Sequence, residues 1–169
     1  MSLYTCTVPV FIRALQNLAA ELRKGETHIQ AQGKQAESLL QAALAPDMFN
    51  LVRQVQSASD AAKGAGARLA GVAVPSYPDT ETTFAELQER IAKTVAFLQS
   101  LSEAGFGAVD EVTVPLKSGN LTFAPMQYLT AFALPNFFFH AVTAYDVMRA
   151  QGVPLGKLDF LGSLDFARK

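Results

Sequence analysis

The sequence predicts an all-α four-helix bundle with a small β-hairpin inserted before the last long helix. Three observations predict it. Four long segments repeat apolar residues at spacings of three and four, short connections join them, and the period switches to two only over residues 111–123. The chain has 169 residues, which suits a single domain spanning 1–169 with a real core.

The first segment covers residues 7–24, where Val8, Phe11, Leu15, Leu18 and Leu22 form one stripe. Thr7 is the predicted cap, Pro9 falls in the first turn, and Gly25 is the predicted stop or kink. A short polar helical stretch with His28 follows, up to Gly33. Residues 34–43 read as a weaker helix, with Leu39, Leu40 and Leu44 on its apolar side. Pro46 then disfavours helical geometry at Ala45, and Asp47 is the predicted N-cap of a helix running to Ala70. Met48, Leu51, Val55, Ala58, Ala62 and Leu69 make its face. Gly64 and Gly66 within it point to close approach of a neighbouring helix, since each costs up to about 1 kcal/mol of helix propensity relative to Ala.

Residues 71–80 contain Pro75 and Pro78 without periodicity and read as a loop. Thr83 and Glu86 have the form of a capping box ahead of the cleanest stripe in the chain: Phe84, Leu87, Ile91, Val95, Leu98 and Leu101. In EVTVPL-KSGN-LTF, Val112, Val114 and Leu116 alternate with polar residues or Pro115, which predicts a hairpin with Pro115 on an edge. The last long helix runs from Pro125 to Gln151 and ends at Arg149, Gly152 and Pro154. Between Leu129 and Val142 its only polar side chains are Thr130, Asn136 and His140. A segment apolar nearly all round predicts a rod buried in the middle of the bundle, kinked at Pro135. The tail from Leu155 reads as an extended segment packed back on the bundle and frayed beyond Gly162.

Composition narrows the function. The net charge is −1 and no basic stripe exists, which argues against a nucleic-acid binder. The apolar run is too short for a membrane span. Cys6 is the single cysteine and no secretory leader is visible, so a cytoplasmic protein is expected. There is no phosphate-binding glycine loop of Walker or dinucleotide type, and no G-x-S-x-G. What remains is the pair Asn136 and His140, one helical turn apart on one face. The plain reading of His140 is a buried neutral imidazole satisfied by a hydrogen bond. The functional reading is a pocket in the bundle, with His140, Asn136, Gln54 and Asp47 as candidate ligand-binding residues. An enzymatic alternative is a metal- or thiol-dependent transferase or hydrolase that completes a site on His140 with His28 or a carboxylate. Cys6 lacks a basic neighbour in sequence. A third reading makes the pair a structural device in an interaction protein.

The stretches LAPDMFNLVRQVQ, TTFAELQERIAKTVAFL and FALPNFFFHAVTAYDVMRAQGVPLGKLDFLG resemble a bacterial domain-of-unknown-function family of the DinB-like, YfiT-like four-helix superfamily, from about Val8 to Gly162. The resemblance implies an up-and-down bundle, a homodimer, and a cavity in which many members hold a divalent metal with three histidines. Some of those members look like thiol-dependent transferases or isomerases. The superfamily pattern in the last helix is two histidines four apart. His140 matches the second and Asn136 stands at the first. The third comes from the second helix, where residues 47–56 hold no histidine. One ligand of three therefore remains: the metal site is degenerate and no metal or other cofactor is expected.

Overall fold

The computed structural model describes residues 2–116 and 119–165. Its long helices are α1 (Leu3–Ala31), α3 (Leu51–Leu69), α4 (Phe84–Ser100) and α6 (Leu134–Ala150). Shorter elements are α2 (Glu37–Leu40), α5 (Pro125–Gln127) and α7 (Lys157–Leu161), with a hairpin of β1 (Val112–Leu116) and β2 (Gly119–Phe123). The predicted four-helix bundle with its small hairpin is the observed architecture. Helix α3 packs against α6, α4 and α1, and α1 packs against α4, α6 and α7.

Helix α1 is longer than the sequence suggested at both ends. It is capped by Ser2, whose hydroxyl accepts from the Thr5 amide while Thr5 Oγ1 accepts from the Ser2 amide. Thr7 is no cap; it lies a turn inside and donates to the Leu3 carbonyl. Pro9 thus sits in the helix interior, on an exposed side where Thr5, the residue whose carbonyl it leaves unpaired, is also exposed to water. Gly25 neither stops nor ends the helix. It is buried where Leu39 Cδ2 and Met148 Sδ would stand 3.1 and 3.3 Å from an added Cβ, so its role is close packing.

The segment after α1 forms one turn, α2, which buries Leu39 and Leu40 and leaves Leu44 exposed. Helix α3 begins later than predicted because Asn50, not Asp47, caps it: Asn50 Oδ1 accepts from the Arg53 amide at 2.9 Å. Asp47 lies in a turn closed by the Met48 amide on the Ala45 carbonyl. The Thr83–Glu86 capping box of α4 is present as expected. Hairpin register pairs Val112 with Phe123, Val114 with Leu121 and Pro115 with Asn120. Val112 and Val114 are buried, which anchors the ribbon to the bundle. Positions 117–118 of the predicted KSGN turn lie outside the described residues.

The helix ahead of Pro135 departs from regular α geometry. The turn before it, Tyr128–Ala133, is π-helical, and the Leu134 amide bonds five residues back to the Leu129 carbonyl. Five-residue spacing places the Ala131 carbonyl opposite Asn136, which has an N–H, rather than opposite Pro135, which has none.

Two further expectations fail. The tail is not extended: α7 folds as a short helix on α1, with Asp159 Oδ2 accepting from the Gly156 amide and Oδ1 held by Lys24 at 2.5 Å. Arg13 and Asn17 bond the carbonyls of Leu161 and Phe160. Residues 166–169 of the expected frayed end lie outside the described residues. The central rod is α3, not the phenylalanine-rich helix. Fourteen of the nineteen residues of α3 are buried, against six of the seventeen of α6. Small side chains decide this. At Gly66 an added Cβ would stand 2.7 Å from Leu98 Cδ2 and 2.9 Å from Leu101 Cδ1, so α4 rests on bare backbone. On α6, Phe139 is 57% and Val142 40% exposed, so its outer side is uncovered.

Two stability predictions follow from this packing. Gly66→Ala gains about 1 kcal/mol of helix propensity but overpacks the α3–α4 contact, which costs about 1–3 kcal/mol; urea titration should show a net loss of about 1 kcal/mol. Beneath α7, Glu21 is buried with Oε1 unpartnered among the described residues, and burial together with nearby Asp159 pushes its carboxyl from 4.5 up to about 8. The folded state therefore holds a proton that the unfolded chain releases, and this contribution to stability is lost as pH rises from 4.5 through about 8. Melting curves of wild type and Glu21→Gln should diverge in favour of the variant across that window and run parallel above it.

Candidate functional site

Two predicted site residues meet. His140, half-buried on α6, places Nδ1 2.8 Å from Oε1 of Gln54 on α3. Gln54 is 1% exposed, and its Nε2 donates to the Phe49 carbonyl at 3.2 Å. That second bond fixes the amide orientation, so Oε1 is the acceptor and Nδ1 carries the proton. Neutral His140 then has a lone pair on Nε2, which meets no protein donor among the described residues. Burial, and after it the charge of Arg53, holds His140 below its usual pKa of 6.5, which keeps the ring neutral at pH 7. The Phe49 ring stacks on the imidazole at 6.5 Å between centroids, and the Arg53 guanidinium lies over the Phe49 ring at 5.6 Å from its centroid.

His140 and Asn136 line a cleft of about 290 Å³ between α3 and α6, closed on one side by Val114 of the hairpin. From α3 come Ser57, Asp60 and Arg68, and from the π turn come Tyr128 and Phe132. Asn136 is exposed at this cleft rather than buried in the middle of the fold, because its side of α6 is not covered by another helix. Asp47 is exposed and does not line the cleft. His28 is not near His140. It bonds Gln32 at 2.9 Å and lies against Gly152, twelve residues further along, about 18 Å by helical rise. A shared ion needs bonds of about 2 Å from each ring, so the His28 form of the enzymatic alternative does not fit. Cys6 is half-buried against the core on α1.

The donor set also bears on a metal. The cleft supplies one imidazole, one amide and the Asp60 carboxylate, short of the three-histidine pattern, and no cluster of three or more metal-ligating His, Cys, Asp or Glu occurs among the described residues. Asp60 is moreover engaged elsewhere. Its Oδ1 takes Lys63 at 2.6 Å and Arg90 at 2.7 Å. Arg90, 3% exposed, also bonds Glu81 at 3.0 Å and Asp79 at 3.0 Å, and Asp79 pairs with Arg53. Burial opposes ionisation of Asp79 and Glu81, but the bonds from Arg53 to Asp79, from Gln56 to Glu81 and from Arg90 to both outweigh it and hold both carboxyls below the usual range. Sequence reasoning missed this network. Its signal was Arg90 on the apolar stripe of α4, three after Leu87 and four before Thr94, where a charge must be paired if the stripe is buried.

The comparisons agree with this architecture. The family model "Domain of unknown function (DUF1993)" matches residues 3–161. The chain belongs to this family. A DinB family member protein from Shewanella denitrificans, known from a crystal structure at 1.83 Å resolution, is 37% identical, with a TM-score of 0.92 over 99% of this chain and 96% of that one. Among curated proteins none matches the chain. For this DUF1993 chain, no helix among the described residues is long and apolar enough to cross a membrane.

Chemically, His140 can accept a hydrogen bond or a proton through Nε2. No serine, threonine or cysteine is hydrogen-bonded to it among the described residues, so the nucleophile–base contact of a covalent catalyst is missing there. The imidazole should titrate below 6.5 by NMR, and the stability due to its neutral form, complete above 6.5, is lost as pH falls through the lowered folded value. Gln54→Glu puts a carboxylate against Nδ1 and should raise the His140 pKa above the wild-type value; an unchanged titration would show that the two side chains do not meet.

Proposed function

We propose that this protein is a cytoplasmic small-molecule-binding bundle whose metal site is degenerate and whose ligand sits in the cleft of Asn136 and His140. The observation that carries this reading is the Gln54–His140 bond. A buried amide holds the ring in one tautomer and leaves an unpartnered acceptor at a cleft, as a recognition site requires and a packing histidine does not. A volume of about 290 Å³ fits a small ligand rather than a polymer. The test is a fragment screen by NMR on uniformly labelled protein. Fragments that bind should shift the His140 ring and the Asn136 side-chain amide, and His140→Ala should weaken them about tenfold or more while the fold is retained. Hits that cluster elsewhere, or that ignore His140→Ala, would refute the reading.

A second reading, self-association as a homodimer, is favoured by one observation. Phe49 and Phe139, which flank the His140 ring, are 50% and 57% exposed, a patch that a second copy would cover. Light scattering should then show a dimer that Phe139→Glu dissociates.

A further inference from the structure

The charges around the cleft do not cancel evenly. Arg53, Lys63 and Arg90 are matched by Asp60, Asp79 and Glu81 in one connected network, three cations against three carboxylates. Asp60, the acidic residue of the cleft, is thereby neutralised by its own neighbours. Arg68 is the other ionised residue of the cleft, and no carboxylate lies within ion-pairing distance of it among the described residues. It is half-buried and folds back along α3: an added Cβ at Gly64 would stand 2.6 Å from its Nη1. The glycine therefore makes room for the guanidinium. Beside it is Tyr128, 2% exposed, whose phenol is kept protonated by burial in spite of the arginine's opposing charge. A protonated phenol can donate a hydrogen bond, and a guanidinium can donate two in parallel.

We propose that this end of the cleft holds the carboxylate of a small organic monoanion, with Arg68 as the ion-pair partner and Tyr128 as the second donor. The proposal rests on the cleft being a ligand site and names the class of ligand. A half-buried cation facing only neutral groups is costly, and an incoming carboxylate relieves that cost. One arginine with no further basic residue in the cleft matches a single negative charge rather than a phosphate dianion. Val114, Phe132, Ala61 and Ala133 supply apolar wall for a short hydrocarbon body. His140, at the other end, accepts a hydrogen bond from a polar group on ligands long enough to reach it.

The experiment is calorimetric titration of the full chain with butyrate, hexanoate and benzoate, beside butyramide, hexanamide and benzamide, with NMR shifts to locate binding. At least one acid should bind with shifts at Tyr128, and its amide should bind about 10- to 100-fold more weakly. Arg68→Gln should weaken the acid by about the same factor. Gly64→Ala tests the geometry without removing the charge: it favours the helix, yet its Cβ displaces the guanidinium, so affinity should fall in a protein that melts no lower than wild type. Equal binding of acids and amides, or acid binding untouched by Arg68→Gln, overturns the proposal. If that binding is still lost in His140→Ala, the cleft remains the ligand site and only the anion assignment falls. No binding of any of the six compounds up to about 10 mM overturns the assignment as well, and the fragment screen then decides separately whether the cleft binds anything.

Discussion

Helix α3 is enclosed by three other helices, and it carries polar side chains into that enclosure. Burying a polar group without a partner costs about 1–3 kcal/mol, so each must be answered by a neighbour. Each is. Gln54 bonds His140 and the Phe49 carbonyl, Gln56 bonds Glu81, Ser59 shares a hydrogen bond with Thr94, and Lys63 pairs with Asp60. These bonds run outward from α3 to α6, to α4 and to the segment around Glu81. The partners of one helix thereby set the positions of the groups that line the cleft.

From that constraint the cleft takes its character. Satisfying Gln54 leaves His140 with a neutral ring and one nitrogen that meets no donor among the described residues. Satisfying Lys63 and Arg90 uses the charge of Asp60. Arg68, four turns along α3 from Gln54, is outside both arrangements and is left with the Tyr128 hydroxyl. A site that began as a bundle of structural hydrogen bonds therefore ends with an acceptor at one end and a cation at the other. The π turn contributes directly: Tyr128 and Phe132, which line the cleft, both lie in it, just ahead of Pro135, which has no N–H to donate to Ala131.

Glu21 stands apart from this logic. Its Oε1 is buried without a partner among the described residues, and so is Arg90 Nε. For Arg90 the remaining guanidinium nitrogens are well bonded, which offsets the loss. For Glu21 nothing does, and protonation replaces pairing as the way to bury the group. It lies under α7, whose attachment to α1 relies on Lys24, Arg13 and Asn17.

The sequence by itself determined the helical class, the α4 capping box and stripe, and the hairpin; it named His140 and Gln54 as candidates without pairing them. These rest on local periodicity, capping chemistry and proline geometry, which act within a few residues. It also marked Gly64 and Gly66 as places of close approach by a neighbouring helix; Gly66 is one, against Leu98 and Leu101, whereas Gly64 makes room for Arg68 of its own helix. Tertiary structure alone decided which helix is central. An apolar sequence says that a surface prefers burial, not that a neighbour exists to bury it, so Phe139 and Val142 remain in water while Lys63 and Gln54 do not. Likewise Asn50 won the cap from Asp47 because the turn at Ala45–Met48 delays the start of the helix. The uncompensated charge of Arg68 is legible only after every other ion pair has been placed, because pairing is a property of distances between helices that the order of residues does not contain.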